Sequence, residues 1–166
     1  MDFRKIVDAS KLIIGFGIAL VILSFVLSVV LTIVLSSFLK EIGVVIVILN
    51  MVIVALLFLG LYFWAGMRAV KNYGLDPIGA GVVAAFSYLM VAAVHFVIDL
   101  ILRLILSGWI AGIGLGGEYA SEFLAIGGLI GLMNITISVL WTVLAVPLGV
   151  VINLFVGILG GWYAER

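Results

Sequence analysis

Apolar positions in this chain come in runs far longer than a soluble helix needs. Residues 12–39 and 42–66 carry no charged side chain, and 78–103 carry only His95, Asp99 and Arg103 among twenty or more apolar or small residues. A fourth stretch, 123–164, has no charge at all. About 20 consecutive apolar residues in a helix cross a hydrocarbon core of about 30 Å. The pattern therefore predicts an all-α polytopic transmembrane helical bundle with four spans at 12–39, 42–66, 78–103 and 138–161, forming a single transmembrane domain over 1–166.

The polar breaks between runs are short. Lys40-Glu41 is the only charged interruption between the first two runs, so those helices are expected to be antiparallel neighbours. MRAVKNYGLDP reads as a loop in which Gly74 follows a helix end, Asp76 caps the next helix and Pro77 takes its first position. Residues 2–11 are mixed, with Phe3, Ile6 and Val7 near one face, which suggests a short interfacial helix. The following apolar run exceeds the 7–15 residues of a signal-peptide core and meets no small-residue cleavage site, so it is expected to be retained.

The last third divides in two ways. GWIAGIGLGGEYASE is glycine-rich, and the uncharged stretch after it is too long for one span and barely enough for two. The favoured division makes 123–137 a re-entrant or interfacial half-helix before a fourth span at 138–161. Trp141 then lies near one interface, with Trp162 and Tyr163 at the other. Exposed backbone in a re-entrant segment would need protein or water around it. The alternative is a short fifth span at 123–141. Charge favours four spans. With the N-terminus inside, Arg4, Lys5, Lys11, Arg68, Lys71 and Arg166 are cytoplasmic, while Lys40 and Arg103 are outside, the usual positive-inside bias. The expectation is a multi-pass cell-membrane protein with both termini cytoplasmic.

Composition sharpens this and removes several chemistries. The 166 residues are 67% hydrophobic and 10% charged, against about a quarter charged in a soluble domain. Eight basic and eight acidic residues leave no net charge and no basic cluster, which argues against nucleic acid as a partner. No cysteine is present, so thiolate chemistry, disulfides and cysteine metal sites are excluded, and a single histidine cannot build a histidine-rich site. No glycine run is followed by the lysine and hydroxyl residue of a phosphate-cradling loop. Serines such as Ser28, Ser87 or Ser138 hold no recognisable position relative to His95, the only imidazole base. Glu118 and Glu122, one turn apart, are read as a solvated rim. Asn134-Ile135-Thr136 matches a glycosylation acceptor, but its membrane location and short pattern carry little weight. No cofactor, metal or enzymatic activity is implied.

The polar residues inside the runs are the candidates for function. Ser24, Ser28, Thr32 and Ser36 recur every four residues and roughly continue from Gly17, a small ridge suited to close helix packing. Gly127/Gly131 and Gly157/Gly161 permit the same. In the third span Gly81, Ala85, Tyr88, Ala92, His95 and Asp99 share a face. Asp99 can pair with Arg103 one turn on and accept a hydrogen bond from His95 one turn back. Arg103 can meanwhile extend to the headgroups. A structural ion pair is the simpler reading, and a proton or ion relay the other, because ionisable groups inside a membrane are costly. Asn50 matches the depth of His95. Asn153 lies with Thr142, Gly149 and Gly157 on one face, and Pro147 is expected to kink that helix. Each asparagine can make one interhelical hydrogen bond, or join a polar track with Asp99 and His95.

Two functions follow from this reading. The first is a non-catalytic accessory or assembly subunit that binds other membrane helices, supported by the small-residue faces, minimal loops and missing catalytic set. The second is a small homo-oligomeric ion, proton or solute channel or transporter using Asp99, His95, Asn50 and Asn153. A broken helix at 123–137 would support it. Membrane lipids, and either further copies or another membrane protein, are the expected partners.

Overall fold

A computed structural model describes residues 3–38, 43–113 and 120–166, with side-chain environments given outside 28–29, 32–38, 43–44, 47, 103–113, 120–135 and 141. The chain is all-helical. The elements are α1 (Phe3–Phe38), α2 (Gly43–Tyr73), α3 (Pro77–Ile113) and α4 (Ala120–Glu165). Each contains a segment long and apolar enough to cross a membrane: Phe3–Leu27, Ile48–Tyr73, Pro77–Leu102 and Thr136–Glu165. This is a polytopic transmembrane helical bundle, as the apolar runs predict.

Two boundaries differ from the sequence reading. Residues 2–11 do not form a separate interfacial helix, because α1 runs without a break from Phe3. Ile6, Ala9 and Ser10 are buried, and Ser10 donates its hydroxyl to the Ile6 carbonyl at 2.7 Å. Small side chains at 9 and 10 allow close packing, and back-bonding removes the cost of burying a hydroxyl. The second difference concerns α4. Residues 123–137 and 138–161 belong to one helix of 46 residues, so neither a detached half-helix nor a separate fifth span is present. Its interior glycines lower helix propensity without ending the helix, and Pro147, its only proline, lies inside it. The Lys40-Glu41 link, the segment 114–119 with Glu118, and the side chains of Ser28, Thr32, Ser36, Arg103, Glu122, Asn134 and Trp141 lie outside the described residues.

The turn between α2 and α3 follows its sequence signals closely. Gly74 adopts a left-handed φ of 61°, the region in which a side chain is strained. Its N–H bonds the Val70 carbonyl at 3.0 Å, and the Leu75 N–H bonds the Ala69 carbonyl at 3.2 Å, closing the end of α2. Asp76 then accepts a hydrogen bond from the Gly79 N–H at 3.0 Å, three residues into α3, with Pro77 at the first helical position. Asp76→Ala should therefore lower stability by about 1 kcal/mol, the usual worth of an N-cap. Asp76→Asn should lower it by much less. Thermal unfolding of both variants in detergent checks this, and equal losses would rule out the capping role.

The chain packs as two compact units, Met1–Val91 with Gly149–Arg166, and Ala92–Leu148. In the first, Ile6 and Ala9 of α1 meet Ala69 of α2 and Ala80 and Val83 of α3. One step further along, Ile13, Tyr62, Ala65 and Ala84 form a second layer. Lipid is as apolar as leucine, so close packing rather than water exclusion must hold such helices together. Glycines make that possible. A Cβ at Gly66 would strike the Gly157 carbonyl, and one at Gly160 the Phe63 carbonyl, so α2 and α4 are in backbone contact. A Cβ at Gly157 would sit 2.5 Å from the Ala84 Cβ, and one at Gly81 would sit 2.7 Å from the Leu154 carbonyl oxygen, which locks α3 to α4. Gly17 makes room for the Val91 side chain between α1 and α3.

Candidate functional site

Tyr88 of α3 lies against both α2 and α4. Gly149 lies on α4 one turn before Asn153, and the Tyr88 hydroxyl occupies the space a side chain at Gly149 would need. Tyr88 meets Tyr62 of α2 edge to face, with ring centroids 5.8 Å apart, and Tyr62 in turn stacks on Phe58 at 6.2 Å. Asn153 is buried and donates from Nδ2 to the Gly149 carbonyl at 2.8 Å. Thus Gly149, Asn153 and Gly157 share the α4 surface that meets α3, as their spacing predicts.

Several atoms of this region lack hydrogen-bond partners. The Tyr62 hydroxyl, Ser87 Oγ and Asn153 Oδ1 are buried without one among the described residues. Tyr62 and Ser87 are almost wholly enclosed, at 1% and 0% exposure. Their depth is informative. Tyr62 precedes the end of α2 by eleven residues, and Tyr88 follows the start of α3 by eleven, about 16 Å of helix in each case. Asn153 precedes Trp162 by nine residues, about 14 Å. All three lie inside the apolar segments of their helices. An unmet hydroxyl or amide oxygen in apolar surroundings costs about 1–3 kcal/mol, and these three groups make a neutral set. It carries no formal charge and offers both donors and acceptors. In the sequence Tyr88 is visible only as a member of the face with His95 and Asp99, Ser87 only as a serine without a base, and Tyr62 not at all. Aromatic residues at helical spacing read as core, and only their three-dimensional convergence marks them.

Asp99 and His95 belong to the second unit. The Ser138 hydroxyl of α4 donates to Asp99 Oδ2 at 2.9 Å, and the Ser138 carbonyl accepts from Thr142 Oγ1 at 2.8 Å. Asp99 thus meets a serine of another helix, a pairing that no spacing within α3 could reveal. His95 is exposed and makes no hydrogen bond or ion pair among the described residues. The expected Asp99–Arg103 pair falls on a side chain outside them.

Asn50, in the first unit, is half-exposed on α2 and likewise makes no hydrogen bond among the described residues. Ser24 donates to the Val21 carbonyl at 2.8 Å, so the described member of the serine–threonine ridge satisfies itself within its own helix. No group of three or more histidine, cysteine, aspartate or glutamate side chains gathers among the described residues, so none of them composes a metal centre.

This is a multi-span helical membrane protein with no cysteine and, among the described residues, no clustered metal ligands. Its four helices match no family model, no curated protein and no solved structure.

Proposed function

We propose that the chain is a non-catalytic integral membrane subunit whose helices bind those of other membrane proteins, with both termini on the cytoplasmic side. The observation that carries this reading is His95. An imidazole is exposed on a helix segment otherwise suited to hydrocarbon, and it has no partner among the described residues. Half-exposed Asn50 on α2 repeats the situation. Lipid tails supply neither donors nor acceptors, and a neighbouring membrane helix supplies both. The orientation rests on Arg4, Lys5, Lys11, Arg68, Lys71 and Arg166, which fall at the same helix ends.

Native mass spectrometry of protein gently extracted from its own membrane tests the proposal. A fixed stoichiometric protein partner is expected. His95→Leu and Asn50→Leu should each weaken that complex by about three- to tenfold, one interhelical hydrogen bond, with no loss of folded yield. A defined homo-oligomer with no partner would instead favour a small channel or transporter built on Asp99, His95, Asn50 and Asn153. Asn153 Oδ1, buried without a partner among the described residues, favours that second reading. In that case Asp99→Asn should abolish ion or proton flux in proteoliposomes while the protein still folds.

A further inference from the structure

At the basic end of the first unit, Arg68 occupies an unusual seat. Its guanidinium carbon lies 5.9 Å from the Trp64 ring centroid and 5.7 Å from that of Tyr73, so two aromatic groups hold the cation. Tyr73 is itself fixed, because its hydroxyl donates to the Asp8 carbonyl of α1 at 3.2 Å. Nη1 is buried and has no acceptor among the described residues. A ring face attracts the charge but replaces no hydrogen-bond acceptor, and a half-buried guanidinium has five N–H groups to place.

Two of the acidic groups at this end are already engaged. Asp8 is paired with Lys11 at 2.7 Å, and Asp76 caps α3. The described residues of this unit carry six basic side chains against three acidic ones. Lys71, one turn beyond Arg68, is exposed.

Apolar surface lies beside this charge. Trp64 is partly exposed and meets Phe16 of α1 edge to face at 6.0 Å. Gly60, one turn from Trp64, and Gly15, next to Phe16, are exposed with open space where a Cβ would stand. Trp162 and Tyr163, exposed at the end of α4, mark this level as a membrane interface.

We propose that Arg68, held between Trp64 and Tyr73, binds the phosphate of an anionic phospholipid whose acyl chain lies along Phe16, Trp64 and the open glycines. The planar guanidinium matches a phosphate in a bidentate way that an ammonium does not, and Lys71 adds attraction for a second negative group. The site is independent of the helix-binding faces on which the proposed function rests.

Lipid retention by the purified full-length chain tests this. Native mass spectra after equal exposure to phosphatidylglycerol and phosphatidylcholine should show about fivefold preferential retention of the anionic lipid, the preference one cationic contact confers. Arg68→Gln should bring that ratio close to one. Equal retention of the two lipids by the wild type overturns the proposal, and so does an unchanged ratio in Arg68→Gln. Inorganic phosphate alone should not raise the thermal stability of detergent-solubilised protein. Stabilisation by phosphate equal to that by the lipid would overturn a lipid as the ligand. Should Arg68→Gln fail to fold, brominated lipids provide the second reading. The quenching lost in Trp64→Phe should be greater for brominated phosphatidylglycerol than for brominated phosphatidylcholine, and equal quenching overturns the site.

Discussion

Gly66→Ala and Gly160→Ala are each expected to destabilise the folded chain in detergent by about 2 kcal/mol or more. At both positions the added Cβ would meet backbone, the Gly157 carbonyl in one case and the Phe63 carbonyl in the other. A side chain in the way could change rotamer, but a helix backbone moves only as a unit. Relief therefore requires α2 and α4 to separate, with loss of the dispersion contacts along their whole contact line. Helix propensity acts in the opposite direction and returns up to about 1 kcal/mol for each glycine replaced. Gly15→Ala and Gly60→Ala isolate that smaller effect, because nothing lies near either added atom. Thermal unfolding of all four variants should give two losses and two small gains. Four similar shifts would mean that the glycines serve conformation and not contact.

Tyr62→Ala should be the other severe change. The ring is enclosed by Ile13, Ala65, Ala84 and Tyr88, side chains from three helices, and its loss opens a cavity that they cannot collapse to fill. In water a buried aromatic replaced by alanine costs about 3–5 kcal/mol, part of it the transfer of apolar surface. Within a bilayer the transfer part largely disappears, because the unpacked ring would meet lipid. The cavity part remains, at about 2–3 kcal/mol. Tyr62→Phe separates ring from hydroxyl. With the hydroxyl unpartnered among the described residues, its removal should be neutral or slightly stabilising. A loss above about 1 kcal/mol would show that the hydroxyl is hydrogen-bonded in the membrane, and that the neutral set of Tyr62, Ser87 and Asn153 holds water or a polar ligand.

The two proposals depend on different parts of the protein and can fail separately. A partner-binding role draws on polar groups that face away from the chain's own core, His95 above all. The lipid site draws on a charge that the chain's own core holds but does not neutralise. A protein with an anionic lipid at Arg68 and no protein partner would be stabilised by its membrane alone. One with a partner and no lipid preference would owe its basic end simply to orientation.

Long uncharged runs made the spans legible, because the cost of placing charge in hydrocarbon leaves a crossing helix few other compositions. The turn at 74–76 was legible for a local reason: a left-handed residue, a cap and a proline act within six residues of one another. The continuity of α4 was harder to read. An uncharged stretch too long for one span suggests a division by length alone, and a helix can run on past the span, as α4 does from Ala120 to Glu165. Mixed polarity over the first ten residues suits a membrane surface and a packed helix end equally well, and the burial of Ile6, Ala9 and Ser10 in a continuous α1 distinguishes the two.

Transfer cost and backbone geometry act locally, so the residue order alone is enough to read the four membrane-crossing helices and the turn at 74–76. Which polar atoms meet follows from the packing of the folded helices. Asp99 bonds Ser138 thirty-nine positions away, Tyr88 fills the space at Gly149, and Trp64 and Tyr73 enclose Arg68. Such contacts depend on how one helix is rotated against another. In a bilayer that rotation is set by the fit of small residues along the whole contact, which no single helix encodes alone.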